Sequence, residues 1–221
     1  MCGRCGCEPE PLTLQVQTSL LQRNAAAAAA LRQRFTALGL PVINWLSAPG
    51  SGKTALLEQL AALHPQPWRL GVVVADLATD NDARRLQQHG LQAVQVSTGT
   101  LCHLPAALLE RALQRFDLSA LDLLLIENVG NLVCPALFDL GESLRVVVLA
   151  AGEGEDKPIK YPAVFASADL VVINKIDLAA ALDFDLELML RHLRQVAPRA
   201  RVLLTSARSG DGIERLLVAL R

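Results

Sequence analysis

Short runs of Val, Leu and Ile alternate along the chain with amphipathic stretches, and the two kinds of segment differ in period. The runs at 42–46, 71–75, 93–96, 122–126, 145–150, 170–173 and 202–204 are short and predominantly apolar, without a polar face, which predicts strands covered on both faces. Between them, segments at 53–63, 82–89, 104–116, 184–196 and 212–220 repeat their apolar positions at helical spacing. Ahead of the first strand, the same spacing with Ala-rich filling predicts a helix over 14–38, stopped by Gly39 and Pro41. Strands separated by helices predict an α/β fold: a doubly wound, mostly parallel sheet flanked by helices. Ligands of such sheets sit beyond the carboxyl ends of the strands, so the residues following each run are those to read for chemistry.

Composition narrows this picture. The 221 residues, 52% apolar and 19% charged, suffice for one domain with a full core, expected over 14–221 and led by the helix. A formal net charge of −1 leaves no broad basic face for phosphate backbones, which argues against nucleic acid and against anionic membranes as partners. No run reaches the length of a membrane helix, and the alanines at 25–30 are framed by Arg23, Arg32 and Arg34, so this segment reads as a helix rather than a signal sequence. Residues 1–13, opening MCGRCGCEPEP, predict a flexible arm without a core of its own. Three of the five cysteines crowd into that arm, a distribution that predicts metal-binding thiols in a reducing cytoplasm rather than a disulfide framework.

The sharpest motif is SAPGSGKT at 47–54, directly after the first strand and opening a helix. Backbone N–H groups around Gly50, Ser51 and Gly52 can close on phosphate oxygens, Lys53 can reach the outer phosphates, and the Thr54 hydroxyl can ligate Mg2+. The strict pattern begins with Gly where this chain has Ser47, but the strand-to-helix setting predicts a phosphate loop and hence a P-loop NTPase. NKID at 174–177 ends a later strand and supplies Asn174, Lys175 and Asp177. A carboxylate in the plane of the base accepts from two guanine N–H groups but faces an acceptor on adenine, so Asp177 predicts selection of GTP and GDP. The turn TSARSG at 205–210 offers Ser206 and Ala207 to the same base, with Arg208 where Lys is frequent.

Hydrolysis needs acids beside the γ-phosphate, and two stand at strand ends. Asp76 and Glu127 could each hold Mg2+, leaving the other to position water, with Lys53 completing the catalytic set. Asp80 and Asp82 share the loop ADLATDNDARR and rank lower, a helix cap serving Asp82 equally well. Metal chemistry of another kind is written in Cys2, Cys5 and Cys7, whose CxxCxC spacing lets three thiolates converge on one ion. With the α-amine of Met1 the set suits square-planar Ni2+, and Zn2+ would also accept it. Cys102, His103 and Cys134 make a partial set that two subunits could complete, and Cys134 shares a segment with Glu127 through which a γ-phosphate could move it.

Together, the phosphate loop, ADLATDNDARR, TGTLCHL, IENVGNLVCP, GEGEDKPIKYP, NKID and the amino-terminal CGRCGC resemble the HypB family of nickel-incorporation GTPases, in order and over essentially the whole chain. The resemblance implies a GTP-dependent homodimer that works with a HypA-type nickel-binding partner to supply the large subunit of a [NiFe] hydrogenase. It also implies metal ligation by Cys102, His103 and Cys134 in the GTPase domain, a tight nickel site at Cys2, Cys5 and Cys7, and a place for Lys157 near the nucleotide and dimer surface. The family's histidine-rich tract is missing, the four histidines being scattered, and Thr100 and Pro105 replace residues that are commonly Lys and Asp. A urease accessory or cobalamin-pathway GTPase, or a nickel carrier with a vestigial nucleotide site, are the competing readings.

Overall fold

Alternating residues of each predicted strand point to opposite faces, and both faces are apolar, so helices must cover both. The computed structural model describes residues 11–63, 68–77 and 79–220, with side chains from residue 18 onward. In chain order the elements are α1 (Pro11–Leu38), β1 (Val42–Ser47), α2 (Lys53–Leu63), β2 (Leu70–Asp76), α3 (Asn81–Gln88), β3 (Gln92–Ser97), α4 (Ala106–Leu113), β4 (Leu123–Glu127), β5 (Leu144–Ala150), α5 (Lys157–Lys160), α6 (Pro162–Ala166), β6 (Leu170–Asn174), α7 (Leu186–Val196), β7 (Arg201–Leu204) and α8 (Ile213–Ala219). The seven strands form one sheet in the order β3-β2-β4-β1-β5-β6-β7, and every neighbouring pair is parallel.

The sheet is thus wholly rather than mostly parallel. Ile43, Trp45, Val72, Val74, Val146 and Val148 face the helices α2, α3 and α8. The intervening residues face the other way: Val42, Val73 and Ile126 meet α1 and α4, while Val147, Leu149 and Ile173 meet α6 and α7. The chain leaves β1 toward β2 on one side and later fills the other side with β5, β6 and β7. The carboxyl end of β1 therefore lies where the winding reverses, the usual place for a ligand in such folds.

Every predicted strand and helix is present, with boundaries within three residues of those expected. α1 begins at Pro11, inside the expected arm, and residues 1–10 with Cys2, Cys5 and Cys7 lie outside the described residues. Its end is as expected: Gly39 takes φ +62°, and Leu40 N–H donates to Phe35 O at 3.0 Å, closing the last turn through a conformation that side-chain-bearing residues disfavour. The helix expected over 104–116 is shorter, Ala106–Leu113, because Pro105 sits extended at its amino end (φ −73°, ψ 149°). Residues 101–105 are released to form the turn that carries Cys102 and His103. The helices α5 and α6 were not expected.

Buried Asn24 docks α1. Its Nδ2 donates to Asp139 O at 2.7 Å and its Oδ1 accepts from Ala106 N at 2.9 Å, so one side chain ties α1 to the start of α4 and to the segment after Cys134. Arg32 adds a two-pronged pair with Asp139 at 2.7 and 2.8 Å. Among the described residues no helix is long and apolar enough to cross a membrane.

Candidate nucleotide site and cysteine–histidine cluster

The turn from β1 into α2 wraps around a cavity of about 430 Å3 lined by residues from Pro49 to Ala55, with Asp76, Asp82, Arg85, Glu127 and Gly130 opposite. Lys53, Thr54, Asp76 and Glu127 are thus brought together as their positions at strand and helix ends predicted. Lys53 is buried and its Nζ donates to Ser47 Oγ at 2.7 Å, so the serine at the first motif position holds the lysine along the loop. Burial pushes the Lys53 ammonium down from its ordinary value, and the Glu127 charge opposes that shift. A desolvated cation of this kind has few partners to lose when phosphate oxygens arrive.

Glu127 ends β4 and is buried. One carboxylate oxygen accepts from Thr54 Oγ1 at 2.7 Å, while Oε2, also buried, has no hydrogen bond. Burial raises the Glu127 pKa, with Lys53 and Thr54 opposing. A hydroxyl and a carboxylate already in contact, with a second carboxylate oxygen left over, are the oxygen donors a magnesium ion takes, so these residues fit that ion. Asp76 borders the same cavity, but its Oδ1 accepts from Thr79 N at 2.8 Å and so also shapes the loop after β2. Asp82 is not a helix cap. The cap position of α3 falls at Asp80, which makes no side-chain cap bond and pairs with Arg84 at 2.8 Å, whereas Asp82 lies in the first turn 3.3 Å from Arg85.

NKID flanks the phosphate loop without lining the cavity. Asn174 Nδ2 donates to Ser51 O at 2.9 Å and Lys175 Nζ to Gly50 O at 2.7 Å, so the two motifs, far apart in sequence, are bolted together. The contact is close enough to dictate a glycine: at Gly52 (φ +93°) a β-carbon would come 2.5 Å from Asn174 Nδ2. Asn174 Oδ1 in turn accepts from Thr205 Oγ1 and Ala207 N, and Asp177 Oδ1 accepts from Ser206 Oγ at 2.6 Å. Asp177, Ser206 and Ala207 therefore converge, as their motifs predicted.

Glu153, in the turn after β5, was not singled out from sequence, since only its place in the fold gives it a role. Its Oε1 accepts from Ser51 Oγ and from Ala150 N, and Lys157 Nζ stands 3.6 Å from its other oxygen. Arg85 at the cavity mouth was likewise missed. It is held by Glu58 at 2.8 Å on α2, a partner that periodicity alone does not announce.

Across the sheet's carboxyl edge Cys102 and Cys134, 32 residues apart, are brought sulfur to sulfur with Cα atoms 6.2 Å apart. The two loops thus bring the cysteines expected as metal ligands face to face. His103 Nδ1 lies 3.9 Å from Cys102 Sγ, and its ring stacks on Phe138 at 3.6 Å between centroids. Burial lowers the His103 pKa, favouring the neutral ring. Among the described residues no three His, Cys, Asp or Glu side chains form a ready metal cage. One chain supplies a partial set.

A wholly parallel sheet with a phosphate loop after its central strand and an asparagine–aspartate turn after β6 defines a P-loop nucleotide-binding protein. Residues 41–204 match the family described as CobW/HypB/UreG, nucleotide-binding domain. The hydrogenase maturation factor HypB of Azotobacter vinelandii is 48% identical over 200 residues, covering 90% of this chain, which spans 66% of that protein's length. HypB of Escherichia coli (strain K12) is 45% identical over 204 residues, 92% of this chain and 70% of its own. The crystal structure of HypB from Helicobacter pylori in complex with nickel superimposes with a TM-score of 0.86 at 38% identity, over 90% of this chain and 93% of that one. The chain belongs to the HypB family of hydrogenase maturation factors.

Proposed function

We propose that this chain is a Mg2+-dependent GTPase that gates nickel transfer to the large subunit precursor of a [NiFe] hydrogenase in the cytoplasm. The observation that carries the reading is the joining of two sites by one segment: Glu127 faces the phosphate cavity and Cys134, seven residues on, meets Cys102 beside His103.

In this reading the backbone amides around Gly50, Ser51 and Gly52 hold the β-phosphate and Lys53 the γ-phosphate. Thr54 and one of the two acids, Glu127 or Asp76, would hold the magnesium ion, which supplies charge neutralisation between the outer phosphates when bound. Whichever of Asp76 and Glu127 is not spent on the metal orients the attacking water. Asp177 accepts the guanine N–H groups, while Asn174 and Lys175 keep its turn fixed to the phosphate loop.

Nickel is cargo rather than a resident cofactor. As thiolates, Cys102 and Cys134 stand beside a neutral imidazole, a set that takes Ni2+ or Zn2+ and that a GTP-dependent homodimer would double. Cys2, Cys5 and Cys7 form the second, tighter site, which receives nickel from a HypA-type partner. Equilibrium Ni2+ titration of the reduced full chain tests the two sites. Two binding events are expected, the tighter lost in the Cys2→Ser, Cys5→Ser, Cys7→Ser variant and the weaker lost in Cys102→Ser, Cys134→Ser. Two events surviving in either variant would contradict the assignment.

A further inference from the structure

The turn that carries Cys102 and His103 belongs to no helix or strand, so its backbone polar groups need partners from elsewhere. Three side chains provide them: Asn128 and Asn131 on the loop that begins at Glu127, and Thr98 on the ligand loop itself, where it is tied to the backbone of Asp76. Asn131 Nδ2 donates to Cys102 O at 3.2 Å. Asn128 is buried, and its Oδ1 accepts from Leu104 N at 3.1 Å. On the other side Thr98 N donates to Asp76 O at 2.9 Å, and Thr98 Oγ1 donates to Leu101 O at 2.9 Å. The ligand turn is therefore strung between the segment that starts at Glu127 and the backbone of Asp76.

The two asparagines do different work. Asn128 is held on three sides, since its Oδ1 also accepts from Val129 N at 3.0 Å and its Nδ2 reaches Asn44 Oδ1 at 3.3 Å inside the core. It anchors the Leu104 end. Asn131 is half-buried and lies past Gly130, where a β-carbon would come 3.1 Å from the backbone of Pro49 in the phosphate loop. Its Oδ1 accepts from Val133 N at 2.8 Å, shaping the approach to Cys134, while its Nδ2 holds the carbonyl of Cys102. One side chain thus spans the two cysteines on the segment that packs against the phosphate loop.

Resting on the reading above, in which both a nucleotide and nickel are bound, we propose that Asn131 is the positioning residue that links the nucleotide state to the geometry of the Cys102, His103 and Cys134 cluster. A shift of the Glu127–Gly130 segment when the γ-phosphate leaves carries Asn131 with it. Cys102 must then follow Cys134 or lose its clip, so the sulfurs separate or close according to which nucleotide is present.

The test compares Ni2+ affinity with GDP and with a non-hydrolysable GTP analogue. It uses the full chain with Cys2, Cys5 and Cys7 replaced by serine, kept reduced by a phosphine. The unmodified cluster is expected to differ between the two states by roughly 5- to 150-fold. Asn131→Asp keeps the acceptor for Val133 N but cannot donate to Cys102 O. It is expected to shrink that ratio by roughly fivefold, the factor that one hydrogen bond carries. A uniform effect of the added charge on nickel affinity cancels in the ratio, and metal-free GTP turnover should stay within about twofold, as for a surface substitution. Asn131→Ala, which removes both bonds, is expected to match Asn131→Asp. A ratio preserved in Asn131→Asp overturns the clip alone, whether or not Asn131→Ala lowers it. No nickel uptake by the unmodified cluster, or uptake indifferent to the nucleotide, overturns the clip together with the functional reading it rests on.

Discussion

Asp177→Asn should weaken GTP binding by at least about 100-fold and raise the affinity for xanthosine triphosphate. The first effect is what two charge-assisted hydrogen bonds to guanine N–H groups, at about 1.5–3 kcal/mol each, are worth. The second follows from the base: xanthine carries a carbonyl where guanine carries the exocyclic amine, so an amide nitrogen at position 177 finds an acceptor where the carboxylate found a donor. The side chain is already aimed, since Ser206 Oγ donates to Asp177 Oδ1 at 2.6 Å, and Asn174 and Lys175 lock the turn to the phosphate loop. Asparagine keeps an oxygen for Ser206, so the turn should survive and the loss should be confined to base recognition. Fluorescent-nucleotide competition with GTP, ATP and xanthosine triphosphate measures it. Equal GTP affinity in the variant would remove Asp177 from the base site.

Lys53→Ala should lower GTP turnover by roughly 100- to 1,000-fold, the range for removing one preorganised charge from a developing transition-state charge. The ammonium is buried and has Ser47 as its hydrogen-bonding partner, so the substitution leaves no exposed alternative cation at the same spot. It also leaves Glu127 buried without the positive charge that favours its ionised form, which adds a loss of metal affinity to the loss of phosphate contact. Phosphate release under saturating GTP and Mg2+ is the readout. Turnover that is negligible and equal in both proteins would mean that the nucleotide site is vestigial and the chain a metal carrier.

Much of this site was legible in the chain because its parts are local. A phosphate loop needs only a strand, a glycine-rich turn and a helix in succession, and 47–54 supplies them within eight residues. The strands were legible because burial on both faces makes them nearly continuous apolar runs: β1, β4 and β6 are buried at every residue, and apart from Asn44 their polar residues fall at the carboxyl ends. What could not be read depends on distant segments meeting. The bolts from Asn174 and Lys175 to the phosphate loop span more than 120 residues, and the pairing of Cys102 with Cys134 requires loops from different strands to converge. Asn128 and Asn131 look in sequence like ordinary loop residues, and only the shortening of α4 by Pro105 leaves a turn whose backbone they must satisfy. Helix periodicity over 104–116 concealed that turn, since Leu104 is buried like a helix residue without being in one.

In the proposed function the cluster differs from a preformed metal site. The facing sulfurs and the imidazole are together, yet the described residues of one chain offer too few ligands there for a closed shell. An open, incomplete shell suits cargo that must leave, as a structural zinc site does not.

The most direct measurement is stopped-flow absorbance of the thiolate-to-nickel band in chain loaded with Ni2+ at Cys102, His103 and Cys134, mixed with GTP and Mg2+ while phosphate release is recorded in parallel. The band is expected to change with the rate constant of phosphate release, and to stay constant with a non-hydrolysable analogue after the initial binding phase. A band that stays level while GTP is consumed would contradict this expectation.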